Sequence, residues 1–218
     1  MFVGHYAPVF ALAAARRAPG LGAGFVAVQL VDLGFFSLSY IGIEKWRLNP
    51  TLEGFMPIDL YYMPFTHSLA GSAAWALGAA ALTALVSPAG RRALNALIIG
   101  ALVLSHWILD LIVHRHDLAL VHDSDQKLGF ALWDHPALVV PLELGLLFAG
   151  FALFMNATKP KGTFGRVMPW VLITLLLAVQ AFNWFTPPEP NPALFSFLGV
   201  TVYLAFAALA WLTDRTRA

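Results

Sequence analysis

The chain has 218 residues, 59% of them hydrophobic and only 11% charged, against roughly 25% charged in a soluble domain. With a mean hydropathy of +0.73 it reads as an all-α integral membrane protein, and a net charge of +1 gives nucleic acid nothing to bind. Cysteine is absent, which excludes disulfides, thiolate zinc sites, iron–sulfur clusters and a thiol nucleophile.

The first apolar stretch covers about residues 2–15. At ~1.5 Å per residue it extends about 20 Å, too short to cross a bilayer, so it reads as a half-helix inserted to mid-depth or lying at the interface. It precedes the basic pair Arg16-Arg17 instead of following a basic region, which is neither a signal peptide nor a twin-arginine export signal. Six candidate spans follow, at about 20–43, 65–86, 93–113, 136–156, 168–186 and 194–213, each near the ~20 residues a spanning helix needs. A single transmembrane domain over 1–218 is the simplest organisation. Residues 1–120 carry the polar motifs and 136–218 add three further spans.

Basic residues set the orientation. Arg16, Arg17, Arg91, Arg92, Lys159, Lys161, Arg166, Arg215 and Arg217 fall on one side, and only Lys45, Arg47, Arg115 and Lys127 on the other. The first side is expected to be cytoplasmic, with the C-terminus inside. The long loops 44–64 and 114–135 then lie outside with most of the acids, whose charge would help to attract cations. Pro187, Pro188, Pro190 and Pro192 predict a stiff outer turn between the last two spans.

The informative residues interrupt this apolar texture. Ser105-His106-Trp107-Ile108-Leu109-Asp110-Leu111-Ile112-Val113-His114 places imidazole and carboxylate inside a span, where such groups are costly and mark a functional site. His106 and Asp110 share a helix face, and at ~100° per residue His114 lies about 80° round from His106. If the helix continues, Asp117 returns to within about 20° of His106. Asp32 falls mid-span in the first long helix, His67 lies toward the outer face of the second, and His5 reaches mid-depth on the half-helix. Isolated, these groups would be unsatisfied in lipid, whereas convergence on one site resolves the cost.

Each residue has a plainer reading. A His/Asp pair can also be an interhelical hydrogen bond, Asp32 a structural or proton-relay acid, and Thr66-His67-Ser68 a helix cap. Glu143 in the fourth span is either a partner behind the site or an interhelical hydrogen bond. His116, His122 and His135 are expected to be solvated. As a set, His5, Asp32, His67, His106, Asp110 and His114 suit a divalent metal held by nitrogen and oxygen, zinc first and manganese or iron as alternatives, with Glu143 and Asp117 behind them.

In order, Gly4-His5, Val31-Asp32-Leu33-Gly34, Thr66-His67-Ser68 and Ser105-His106 with Asp110 resemble the bacterial inner-membrane metal-dependent hydrolases, also described as LexA-binding, inner-membrane-associated hydrolases. The pattern there is Gly-His, Pro-Asp-x-Asp, His-Arg-Gly-x-Thr-His-Ser and Ser-His-x-x-x-Asp. The resemblance covers about residues 1–120, and the ligand order is more distantly similar to that of zinc-dependent phospholipases C. Two departures mark a divergent branch: Gly34 stands for the second Asp, and Tyr62-Met63-Pro64 replaces His-Arg-Gly. His114-Arg115-His116-Asp117 offers replacement ligands.

The resemblance implies a hydrolase of the bacterial inner membrane, with metal-activated water in the outer half of the bilayer and Asp32 as ligand or general base. At that depth the substrate is expected to be lipid-like, a phosphoester, ester or amide. The partners expected are the bilayer and, as open alternatives, a second copy or a membrane complex. The alternative functions are a haem-binding protein with two axial histidines, a metal- or proton-handling protein, and an accessory subunit. A conducting path is disfavoured because Asn95 is the only polar residue of the third span before Ser105.

Overall fold

A computed structural model describes residues 1–15 and 19–218; Arg16 and Arg17 lie outside the described residues. A 3-10 turn, Val3–Tyr6, leads into α1 (Ala7–Ala14). The remaining helices are α2 (Leu21–Val28), α3 (Leu30–Tyr40), α4 (Leu69–Val86), α5 (Arg92–Val113), α6 (Pro136–Ala157), α7 (Thr163–Phe185) and α8 (Pro192–Arg215). Helices α4 to α8 are each long and apolar enough to span a membrane, and α2 with α3 is a sixth if the bent pair counts as one span. The protein is an all-α, multi-pass membrane protein.

Local chemistry explains the helix starts. Ser68 caps α4 by accepting the Gly71 N–H at 2.9 Å, and Asn191 caps α8 by accepting from Ala193 and Leu194 at 3.0 and 3.2 Å. Pro136 and Pro192 open α6 and α8 at the first helical position, where no amide proton is needed. Close helix contacts use glycine. A Cβ on Gly150 would lie 2.8 Å from the Ala7 carbonyl oxygen, and one on Gly22 2.6 Å from Trp211 Cβ. Those two positions let α1 pack on α6 and α2 on α8. The outside is apolar, with Leu77, Leu82 and Leu85 of α4 at 72%, 63% and 78% exposed, as a lipid-covered helix requires.

Two expectations change, and the long loops gain detail. The first span is not continuous: α2 and α3 meet at Gln29 with a bend of 54°, so Asp32 sits in the first turn of α3. Neither proline nor glycine stands at the break, which leaves Gln29, a polar residue in an apolar run, as its only sign in the sequence. Helix α5 stops at Val113, and His114 is extended (φ −62°, ψ 149°), so Asp117 does not continue the α5 stripe. The loops 44–64 and 114–135 are not wholly irregular. They hold two antiparallel pairs, β1 (Lys45–Leu48) with β2 (Ile58–Tyr62) and β3 (Leu118–Ala119) with β4 (Lys127–Leu128).

The hairpins cover one end of the bundle, where α3, α5 and α7 end and α4, α6 and α8 begin. The other end gathers Arg91, Arg92, Lys159, Lys161, Arg166, Arg215 and Arg217. Between the two ends lies a dense apolar core in which Phe10 and Phe25 meet Ile98, Ile99, Leu102 and Val103 of α5.

Candidate metal centre

Five segments deliver six side chains to one place. His106 and Asp110 come from the last two turns of α5, His114 from the residue just past its end, and Asp32 from α3. His67 comes from the turn before α4, and His5 from the 3-10 turn before α1. His5, His67, His106, Asp110 and His114 are all buried, at 0–3% exposure. They form three overlapping groups of possible ligands: His5, His106 and Asp110; Asp32, His67 and His106; and His67, Asp110 and His114.

Asp110 is the hub, and its two oxygens face different company. Oδ1 lies 2.7 Å from the Met1 amine and 3.1 Å from His5 Nε2. Oδ2 faces the Nε2 atoms of His106, His114 and His67 at 3.0, 3.6 and 3.8 Å. Asp32 Oδ1 adds a second carboxylate oxygen, 3.3 Å from His67 Nε2 and 3.4 Å from His106 Nε2. The His5 ring stacks on that of His106 with centroids 3.9 Å apart.

The other ring nitrogens point outward, each to its own partner. His106 Nδ1 donates to the Val28 carbonyl at 2.6 Å, a carbonyl at the last residue of α2, where the bend interrupts the helical ladder. His67 Nδ1 lies 2.9 Å from Thr66 Oγ1, whose hydroxyl donates to Glu44 Oε2 at 2.6 Å, so that oxygen accepts from the ring. Glu44 is itself pinned, accepting the amides of Phe65 and Thr66 at 2.8 and 3.0 Å. His114 Nδ1 donates to Asp117 Oδ1 at 2.9 Å. Trp133 packs on the His114 ring with centroids 4.1 Å apart, and the Trp107 indole N–H donates to the His67 carbonyl at 2.9 Å.

This arrangement selects a tautomer. A carbonyl can only accept, so His106 carries its proton on Nδ1; Asp117 and the Glu44-oriented Thr66 hydroxyl ask the same of His114 and His67. Three Nε2 lone pairs then converge on two carboxylates. Acceptors facing acceptors at this burial need positive charge between them, from added protons or from a cation. His106 Nε2 is buried with no hydrogen-bond partner although a carboxylate stands beside it. Imidazoles with Nδ1 anchored from behind and Nε2 free in front are the usual form of metal-ligating histidine. These buried His/Asp groups could therefore hold a metal ion, and with no sulfur donor they fit zinc, manganese or iron.

A cavity of about 780 Å³ opens onto the cluster. Its floor includes Asp32, His67, Asp110 and His114, and its walls are largely apolar, from α3, α7 and α8 and the segment Phe55–Leu60. Asp32, at 15% side-chain exposure, is the accessible carboxylate, whereas Asp110 is sealed at 1%.

The structure brings all six candidate ligands together and puts Asp117 directly behind His114. Glu143 lines the cavity but accepts the Phe2 and Gly4 amides, at 3.0 and 3.5 Å, instead of a ligand's proton; it holds the turn that carries His5. His116, His122 and His135 are exposed. Ser68 does cap α4, as the plainer reading of Thr66-His67-Ser68 had it, while His67 beside it faces the cluster. Sequence reasoning missed Glu44, the Val28 carbonyl and Tyr203, whose hydroxyl donates to Asp32 Oδ2 at 2.7 Å. Tyr203 and Gln180 come from the last two spans, which carry no motif; a polar residue inside an apolar span was the signal available for both. No protein-family model, no curated protein and no solved structure matches this chain.

Proposed function

We propose that the protein is a membrane-embedded, metal-dependent hydrolase acting on a lipid-like substrate. The observation that carries this reading is the shared polarity of three buried histidines, each with Nδ1 tied outward and Nε2 turned onto Asp110 and Asp32. His67, His106, His114 and Asp110 would hold the ion, with Asp32 or His5 completing one or two sites. A divalent ion there, zinc in the first instance, supplies Lewis acidity and an activated water.

The chain's own residues do the rest. Asp32 faces the cavity and is the group positioned to take a proton from the attacking water. Tyr203 occupies Oδ2 of that carboxylate and so leaves Oδ1 turned toward His67 and His106. The apolar walls exclude bulk water and favour a substrate delivered from the bilayer. The ordered motifs support a divergent branch of the bacterial inner-membrane metal-dependent hydrolases. The gathering of basic residues at the end away from the site supports an inner-membrane placement with the C-terminus in the cytoplasm.

A second reading has one observation in its favour. The Met1 amine already places a positive charge on Asp110 Oδ1, so the cluster is also compatible with a proton-loaded, hydrogen-bonded core. As a conducting path it ends at the apolar packing of Ile98, Ile99, Leu102 and Val103. A haem between His67 and His106 meets Asp32 Oδ1 and Asp110 Oδ2, both standing 3.0–3.8 Å from the two Nε2 atoms.

The deciding experiment is metal content per chain, by plasma mass spectrometry on detergent-purified protein beside the His106→Ala/Asp110→Ala double variant. About one or two zinc, manganese or iron ions per chain, lost in the variant, is the expected result. No stoichiometric metal after supplementation leaves the proton-loaded core.

A further inference from the structure

The cavity has a composition and a position that the metal cluster does not require. Among the described residues lining it, the charged side chains other than histidine are Asp32, Asp110, Glu143 and Glu189, all acidic, and no lysine or arginine is present. Sites that recognise phosphate place arginine or lysine on its oxygens. An anionic phosphoester entering here would meet carboxylates, even after the ion had compensated Asp32 and Asp110. The remaining polar side chains are uncharged, Gln180, Asn183, Thr186 and Tyr203, which suit a carbonyl or an amide; Met1 also lines the cavity, but its amine is already paired with Asp110 Oδ1 at 2.7 Å.

The position is lateral. Phe182 of α7 and Leu198 of α8 line the cavity and are 63% and 45% exposed, which puts them at its rim. The mouth therefore opens sideways between α7 and α8, just below the proline-rich turn. Val179 and Val202, lining residues farther along the same two helices, are half-buried behind it. The volume of about 780 Å³ is within the roughly 300–1,000 Å³ of small-molecule sites.

We propose that this cavity admits, from the bilayer side and between α7 and α8, the hydrocarbon chain of an uncharged long-chain carboxylic ester or amide. The proposal rests on the hydrolase reading for the fate of the bond, while chain binding stands on the cavity alone. In the reaction the water oxygen bonds to the acyl carbon, and the bond from that carbon to the alcohol oxygen or amine nitrogen breaks. One water proton passes to Asp32 and on to the leaving atom, giving a carboxylic acid with an alcohol or amine.

The test is photo-crosslinking of the full chain in phosphatidylcholine nanodiscs, read by peptide mass spectrometry. One probe is a palmitoyl amide carrying a diazirine on its chain; the other is a phosphodiester with the same chain. The expected result is amide adducts on Val179 and Val202, reduced at least tenfold by Leu198→Trp and by Phe182→Trp but not by Leu77→Trp on the lipid face of α4. The phosphodiester should label Val179 and Val202 at least tenfold less than the amide does. Equal labelling of the two valines by both probes overturns the uncharged class. Adducts confined to the membrane-facing surface overturn chain binding altogether. Metal content of the same preparations reports the hydrolase reading separately, so either can fail without the other.

Discussion

Two buried polar centres lie at opposite ends of this bundle, and they are built in opposite senses. At the basic end, Arg217 donates to Thr158 Oγ1 at 2.8 Å, the Gly165 carbonyl at 2.9 Å and the Thr158 carbonyl at 2.8 Å. Each contact pairs a donor with an acceptor, and the last residues of the chain close the α6–α7 turn through the exchange of backbone hydrogen bonds between Lys159 and Ala218. At the other end, the Met1 amine and the Tyr203 hydroxyl serve Asp110 Oδ1 and Asp32 Oδ2, but the Nε2 atoms of His67, His106 and His114 face Asp110 Oδ2 and Asp32 Oδ1 as acceptor against acceptor. Burial alone does not separate the two centres, since Arg217 is 6% exposed and His114 2%. The sense of pairing does: the Arg217 network is saturated, whereas the acceptor-lined one could hold a cation.

The contrast breaks most sharply in a crossed pair of variants. Asp110→Asn keeps the shape of the hub and removes its charge. Metal affinity should fall by more than the roughly 100-fold that loss of an outer partner costs, because both Asp110 oxygens face the cluster. Arg217→Met should do the reverse. It strands carbonyls that the guanidinium now serves and should lower stability by about 2–4 kcal/mol, with metal per folded chain unchanged. Isothermal titration with zinc and thermal unfolding in detergent, applied to both proteins, read the two effects. Loss of metal binding in the Arg217 variant would mean that the two ends are coupled, and the contrast would dissolve.

Most of this architecture is legible in the sequence because hydropathy and helix length are local properties. The spans, the short first helix and the end at which basic residues gather follow from them. The six candidate ligands are legible for a related reason: His and Asp inside an apolar run have few structural uses, and Asp32 and Asp110 each sit between two aliphatic residues that cannot satisfy them. What the sequence withholds is pairing over distance. Val28 becomes an acceptor only because the span bends at Gln29, and Tyr203 meets Asp32 across 171 positions. Glu44 looked like one more acid in an acidic loop, yet it is 1% exposed and holds Thr66 from behind. The end of α5 was also hidden, since Asp110 to Asp117 reads as well for a helix as for the turn that forms.

Glu44 sharpens the comparison at the next level down. It touches no ligand nitrogen itself; it orients the Thr66 hydroxyl, which in turn accepts from His67 Nδ1. Glu44→Gln would free Thr66 to donate toward His67 and relax the tautomer that turns Nε2 inward. A loss of about 10–100-fold in zinc affinity is expected, the usual cost of an outer partner. Thr66→Val should reproduce it, and the double variant should add little, because both changes cut the same chain of hydrogen bonds. An additive double variant would show that Glu44 acts through the Phe65 and Thr66 amides instead.

The smallest effect belongs to Asp117. It makes the same kind of contact to His114 as Thr66 makes to His67, 2.9 Å from Nδ1, but on the exposed side of the loop at 17% side-chain exposure. Water can replace its oxygen there, which it cannot do behind His67. The His114 ring is also held by Trp133, so its orientation does not depend on one hydrogen bond. Asp117→Asn keeps an acceptor oxygen in place and should lower zinc affinity by no more than about tenfold, the low end of the range for outer partners. Trp133→Ala in the same background should cost more than it does alone, since the ring would then lose both supports. If Asp117→Asn matched Glu44→Gln, solvent access would not be what grades the outer partners, and the position of His114 at the end of α5 would have to explain the difference.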